Sequence, residues 1–130
     1  MAVRSIERGI AAKNEILKVH PAAQLDVVEL DLDSSASIDA FVAQIAKKYG
    51  KVDILFNNSG RATSTSKDEQ EVIKEIFSLN FYKTVELSEK ILPLIRPSGK
   101  VIFVGSSIGR LNLIKSKSLL ARYTNPNITK

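Results

Sequence analysis

The segment Val52-Asp53-Ile54-Leu55-Phe56-Asn57-Asn58-Ser59-Gly60 closes a mostly apolar run with two carboxamides, a hydroxyl and a glycine. If the run is a buried parallel strand, Asn57 and Asn58 stand at its carboxyl end, where ligands collect in α/β proteins. Gly60 would let the backbone approach a flat or crowded group. The same residue types are ordinary turn formers, so the segment alone reads equally well as a loop. Two further runs end in the same way. Leu25 to Leu32 finishes at Asp31 and Asp33, and Lys100 to Gly105 finishes at Ser106 and Ser107.

Helical patterns lie between these runs. Ile38, Phe41, Val42, Ile45, Ala46 and Tyr49 recur at three- and four-residue steps, the apolar face of one helix. Ser34 and Ser35 offer N-caps, Lys47 and Lys48 suit the last turn, and Gly50 fits the position after the end. A longer helix is expected from about Lys67 to Leu92, opened by Ser66 and Glu69 at capping-box spacing and stopped by Pro93. Strands alternating with helices specify βαβ units and a parallel α/β sheet. All three polar clusters then fall on one edge of that sheet, which argues for a ligand site there.

Composition narrows the function classes. The 130 residues suit one domain and are 44% hydrophobic, with a net charge of +5. No run of eighteen apolar residues occurs and Met1 leads into a charged helix, so no membrane partner is expected and the protein reads as cytoplasmic. The sequence holds no cysteine and one histidine, His20, which excludes thiolate and His-rich metal sites; His20, before Pro21, reads as a solvated helix end. Lys47, Lys48 and Lys51 read as a solvated helix terminus, and no aromatic platform is interleaved with them, so no nucleic-acid partner is expected. Residues from Lys115 onward are polar and loosely patterned, a tail to a single 1–130 domain.

Several segments together resemble the short-chain dehydrogenase/reductase family. Asn57-Asn58-Ser59-Gly60 is similar to its Asn-Asn-Ala-Gly motif, with Ser in place of Ala. Val101 to Gly109 resembles the strand that carries the catalytic serine. Phe77-Ser78-Leu79-Asn80-Phe81 resembles the helix with the active-site asparagine, and Leu30-Asp31-Leu32-Asp33 the segment that contacts adenine. Ala2 to Gly9 is similar to the segment after the second strand, and Leu92 to Gly99 is closest to the carbonyl reductase type. Each motif is short, but four stand in order at the family's spacing.

The resemblance implies a Rossmann-like doubly wound parallel sheet, here incomplete, with three recognisable strands. It implies NADP(H)-dependent reduction of a small-molecule carbonyl compound. Ser107 is the expected catalytic serine, donating a hydrogen bond where negative charge develops, with Ser106 as the alternative because strand alternation lets only one face the cleft. Asn80 falls on the core-facing stripe of the long helix. It reads either as a water-holding member of a proton relay or as a satisfied Asn bonded to a neighbouring strand's backbone. Arg4, Asp31, Leu32, Asn58, Ser59 and Gly60 are the expected cofactor-binding residues. Arg4 can grip a 2′-phosphate where an acid would bind the ribose hydroxyl, which points to NADP(H), with Arg8 assisting.

Two family features are missing from these 130 residues. There is no Thr-Gly-x-x-x-Gly-x-Gly turn, and none of Tyr49, Tyr82 and Tyr123 has a lysine four residues on. The chain is therefore expected to be inactive alone. With strand order 3-2-1-4-5-6 and the first strand missing, an open slot about 14 Å wide is expected between the strands ending at Leu32 and beginning at Val52. Three readings are open: a partial chain of a carbonyl reductase lineage, a catalytically silent subunit completed by another polypeptide, or a reading frame whose first residue lies inside the second strand of a longer enzyme.

Overall fold

The chain enters its helices through side-chain caps. In the computed structural model, which describes residues 1–62 and 68–128, the Ser5 hydroxyl accepts from Arg8 N–H at the start of α1 (Ile6–Val19). Ser34 accepts from Ser37 N–H at 3.2 Å to open α2 (Ser35–Tyr49), and Gly50 closes that helix at φ 72°, a conformation that favours glycine. Asp68 caps α3 (Glu69–Phe77) through the N–H groups of Gln70 and Glu71. The expected cap at Ser66 and helix start at Lys67 lie outside the described residues.

The long helix is not uniform. Ser78–Lys83 form a π-helical turn between α3 and α4 (Thr84–Ile91), and a 3₁₀ turn comes next at Leu92–Leu94, where Pro93 ends the helix. A π turn rotates the helix beyond it relative to the helix before it, so the expected single stripe splits in two. Thr84, Leu87 and Ile91 are buried, whereas Ile73 and Phe77 are exposed.

Among the described residues there are four strands in two parallel pairs, where three strands were expected. β1 (Ala2–Val3) pairs with β2 (Val28–Glu29), and β3 (Val52–Asn57) pairs with β4 (Ile95–Phe103). The expected strand over Leu25 to Leu32 contracts to two residues because its partner β1 is only that long. The strand expected from Lys100 begins earlier, at Ile95. A register irregularity opposite Val52 to Ile54 loops out residues 96–99 before the ladder resumes at Lys100. No ladder joins the two pairs among the described residues. Within the 115–130 tail, loosely patterned in sequence, Lys117–Tyr123 nonetheless form α5 because Ser116 caps Leu119 N–H.

Helices cover the β1–β2 pair on both faces. A side chain at Gly9 of α1 would come within 2.6 Å of Val27 and 2.7 Å of Val3, so the missing Cβ lets α1 lie close on that face. Val28, Leu30 and Leu32 point the other way and form one core with Ile38 and Phe41 of α2 and Leu87 and Ile91 of α4. Leu55 of β3 packs against the same core. Its neighbours Ile54 and Phe56 face the opposite side and are 56% and 59% exposed. No helix among the described residues is long and apolar enough to cross a membrane.

Candidate nucleotide crevice

The carboxyl ends of β2 and β3 open onto one crevice. A cavity of about 320 Å³ is lined by Arg4, Asp31, Leu32, Ser59 and Gly60, five of the six residues expected to bind the cofactor, together with Asp33 and Arg61. Asn58, the sixth, lines an adjoining cavity of about 370 Å³ between β1 and β3. Arg4, Arg8 and Ser59 line a third space of about 430 Å³ next to these. A larger cavity, about 690 Å³, is lined by Leu17, Leu25, Asp26, Ile45 and Tyr49 and holds none of the expected site residues.

Local bonding explains how the crevice wall is held. Asp31 N–H donates to Ser37 Oγ at 2.9 Å, and Asp31 Oδ1 accepts from Asp33 N–H at 3.0 Å, so the segment beyond β2 turns over the start of α2. Asn57, expected at the ligand edge, instead donates through Nδ2 to Ser88 Oγ of α4 at 3.0 Å, while its carbonyl accepts from Val104 N–H. Asn57 is thus tied to the helix layer. Asn58, next in the chain, lines the space between β1 and β3. Arg4 is exposed and has no ion-pair partner among the described residues.

Asn80 sits in the π-helical turn and is exposed, not core-facing as the stripe suggested, because that turn swings it off the buried face. Its carboxamide accepts from Arg61 N–H at 2.7 Å and donates to Arg61 C=O at 2.8 Å. A side chain at Gly60 would meet Asn80 Oδ1 at 3.4 Å, an ordinary contact, so the protein's own packing does not demand glycine there.

Ser107 opens a 3₁₀ turn over Ser107–Gly109 and is exposed, as is Ser106, whose hydroxyl accepts from Ile108 N–H at 3.3 Å. Ser106 is therefore occupied as a cap. Ser107 lines none of the cavities beside β1, β2 and β3, so the structure gathers most of the residues expected at the cofactor but not the expected serine with them. A charged member of the crevice, Arg61, escaped the sequence reading. Arg61 pairs with Asp33 at 2.9 Å and approaches Glu75 at 3.7 Å. The available signal was a cation directly after Gly60, with an acid directly beyond Leu32. Lys48, expected to be merely solvated, pairs with Asp26 at 2.9 Å, and Tyr49 also donates to Asp26. The Tyr49 hydroxyl and then the Lys48 ammonium hold the Asp26 carboxyl below the usual carboxylate range. Among the described residues no group of three or more potential metal ligands occurs.

A family model described as short chain dehydrogenase matches residues 1–118. The chain belongs to this family. It is 34% identical over 126 residues to short chain dehydrogenase opdN of Penicillium oxalicum, covering 92% of this chain and 40% of that protein. It is 31% identical over 133 residues to carbonyl reductase (NADPH) 1 of Homo sapiens, covering 99% of this chain and 47% of that protein. The chain thus spans less than half the length of either relative. Among solved structures, menthone neomenthol reductase from Mentha piperita superposes with a TM-score of 0.81 at 21% identity, over 98% of this chain and 58% of that one. The fold is the Rossmann-like α/β arrangement, with parallel strands between helical layers.

Proposed function

We propose that these residues form the adenosine-binding half of an NADP(H)-dependent reductase acting on small carbonyl compounds, aldehydes or ketones. The observation that carries this reading is the single crevice shared by Arg4, Asp31, Leu32, Ser59 and Gly60 beyond the ends of β2 and β3. Its chemistry fits one end of the cofactor. Arg4, exposed and unpaired among the described residues, offers a guanidinium fork to a 2′-phosphate. Asp31 and Leu32 present the adenine wall, and Ser59 and Gly60 the floor beneath the ribose. Nothing among the described residues cradles a pyrophosphate, a role that needs a glycine-rich turn at a helix N-terminus.

When bound, the cofactor supplies hydride. This chain's residues hold its adenosine end and, at Ser107, offer a hydroxyl to the developing oxyanion. Asn80 acts through the backbone of Arg61 and is a positioning residue. Calorimetry on the 130-residue chain should find NADPH binding no tighter than about 1 mM, or about −4 kcal/mol, and no NADPH oxidation with aldehydes or ketones. A chimera that adds the Gly-rich strand–helix before residue 1 and a Tyr-x-x-x-Lys helix after residue 130 should turn over. In it Ser107→Ala should cost about 10²–10³-fold in kcat. NADPH oxidation by the chain itself, unaffected by Ser107→Ala, would overturn this reading.

A second reading, a non-catalytic subunit completed by another polypeptide, is favoured by one observation. The facing edges of β1 and β3 bound the 370 Å³ space without pairing to each other. Co-purification with one stoichiometric partner, and no gain of activity in the chimera, would select it.

A further inference from the structure

Arg61 is held at both its backbone and its side chain. The Asn80 carboxamide bonds its N–H and its C=O, as a neighbouring strand would. From that fixed point the guanidinium reaches Asp33 at 2.9 Å, across the crevice from β3 to the segment beyond β2, and Glu75 of α3 at 3.7 Å. Asp33 is in turn bonded through its N–H to Asp31, a wall of the crevice. A continuous set of contacts therefore runs from the π-helical turn through Arg61 to the adenine wall. Among the described residues the two strand pairs share no ladder, so their carboxyl ends need some other tie.

We infer that Arg61 is a positioning residue that straps the carboxyl end of β2 to that of β3 and presets the gap entered by the adenosine end of a nucleotide. The inference rests on the nucleotide reading above. Arg61 does not itself receive the phosphate. Two carboxylates already face its guanidinium, so the local charge repels an anion, while Arg4 on the same crevice has no acidic partner among the described residues. The two arginines thus divide the work: Arg4 selects the 2′-phosphate, and Arg61 sets the geometry for any adenosine nucleotide. A planar fork suits the second task because it can face two carboxylates at once, which an ammonium does less well. A partly exposed pair contributes little to global stability, so its effect should appear in binding, through preorganisation.

The test uses the ¹⁵N-labelled 130-residue chain titrated with adenosine 2′,5′-bisphosphate and with 5′-AMP. Wild type should bind both weakly, the bisphosphate more tightly, with amide shifts at residues 31–33 and 59–61. Arg61→Ala should weaken both probes by the same factor, about three- to tenfold. Arg4→Ala should weaken the bisphosphate alone. Asp33→Asn should match Arg61→Ala, and the double variant should be no worse than either single, as required of partners in one contact. Arg61→Lys should fall between wild type and Arg61→Ala, and serves if the alanine variant fails to fold. Unchanged affinity in Arg61→Ala, or selective loss of the bisphosphate, overturns the inference and leaves the nucleotide reading standing. A wild-type chain silent to both probes up to their solubility limit overturns both.

Discussion

Asn80 shows how much a single side chain tells before its partner is known. A carboxamide at an apolar position demands hydrogen bonds, and that demand was legible in the sequence. Its partner was not, because the bonds end on the backbone of Arg61, 19 residues away, and a backbone carries no residue signature. The sequence placed Asn80 facing the core, and the π-helical turn moves it into the open. Two bonds at about 0.5–1.5 kcal/mol each make Asn80→Ala cost about 1–2 kcal/mol in urea unfolding, since the freed groups can turn to water. Asn80→Asp keeps the acceptor but sets a carboxylate oxygen against the Arg61 carbonyl, so it should cost no less than alanine. An alanine variant with unchanged stability and an unshifted Arg61 amide would show that the clamp does not operate. The serine pair was only half legible: alternation says that one of two faces the cleft, and the cap at Ile108 N–H takes Ser106.

Between elements, α2 and α4 are joined by a network centred on Glu86. Its carboxylate accepts from Lys83 at 2.9 Å, Lys90 at 3.1 Å and Ser35 at 3.1 Å, and Lys90 also reaches Asp39. The Lys83 bond first, then those from Lys90 and Ser35, lower the Glu86 pKa from the ordinary 4.5 to about 2. A carboxyl depressed on folding stabilises the native state above its unfolded pKa. That stabilisation should be complete above about pH 4.5 and lost as pH falls toward about 2. Melting temperatures across this window should fall more steeply in wild type than in Glu86→Gln. Some slope should persist in the variant, because Asp26 is also depressed. Identical slopes would remove Glu86 from the account. Helix α2 was legible almost to the residue because caps, periodicity and Gly50 agree. The strands were less so, since pairing length depends on the partner: β2 shrinks to match β1, and β4 gains Ile95 from a register shift that no local pattern encodes.

At the scale of the molecule, the open question is what separates the two strand pairs. Strand order led to an expected gap about 14 Å wide, and among the described residues no ladder joins the two pairs. β1 stands beside β2 and fills one of the three expected spacings, leaving two, or about 10 Å. Ladder alternation turns the N–H and C=O of Ala2 toward this place, because Met1 and Val3 carbonyls are already bonded to β2. Phe56 likewise turns its main chain away from β4, since its neighbour Asn57 is bonded there. A strand inserted between them would gain backbone hydrogen bonds at about 0.5–1.5 kcal/mol each, while ordering costs about 1–2 kcal/mol per residue. These nearly cancel, so apolar burial decides. Covering a side chain such as Ile54 or Phe56 contributes about 1.5–3 kcal/mol if burial is complete. The expectation is that the 130-residue chain alone binds a hydrophobic dye and melts broadly. Fusing a five-residue Val/Ile strand with a helix that covers Ile54 and Phe56 should abolish dye binding and sharpen the melt. A Ser/Thr strand with the same hydrogen-bonding capacity should do neither. A purified monomer that melts cooperatively, ignores the dye and keeps this place open in its structure would show that the exposed edges need no partner.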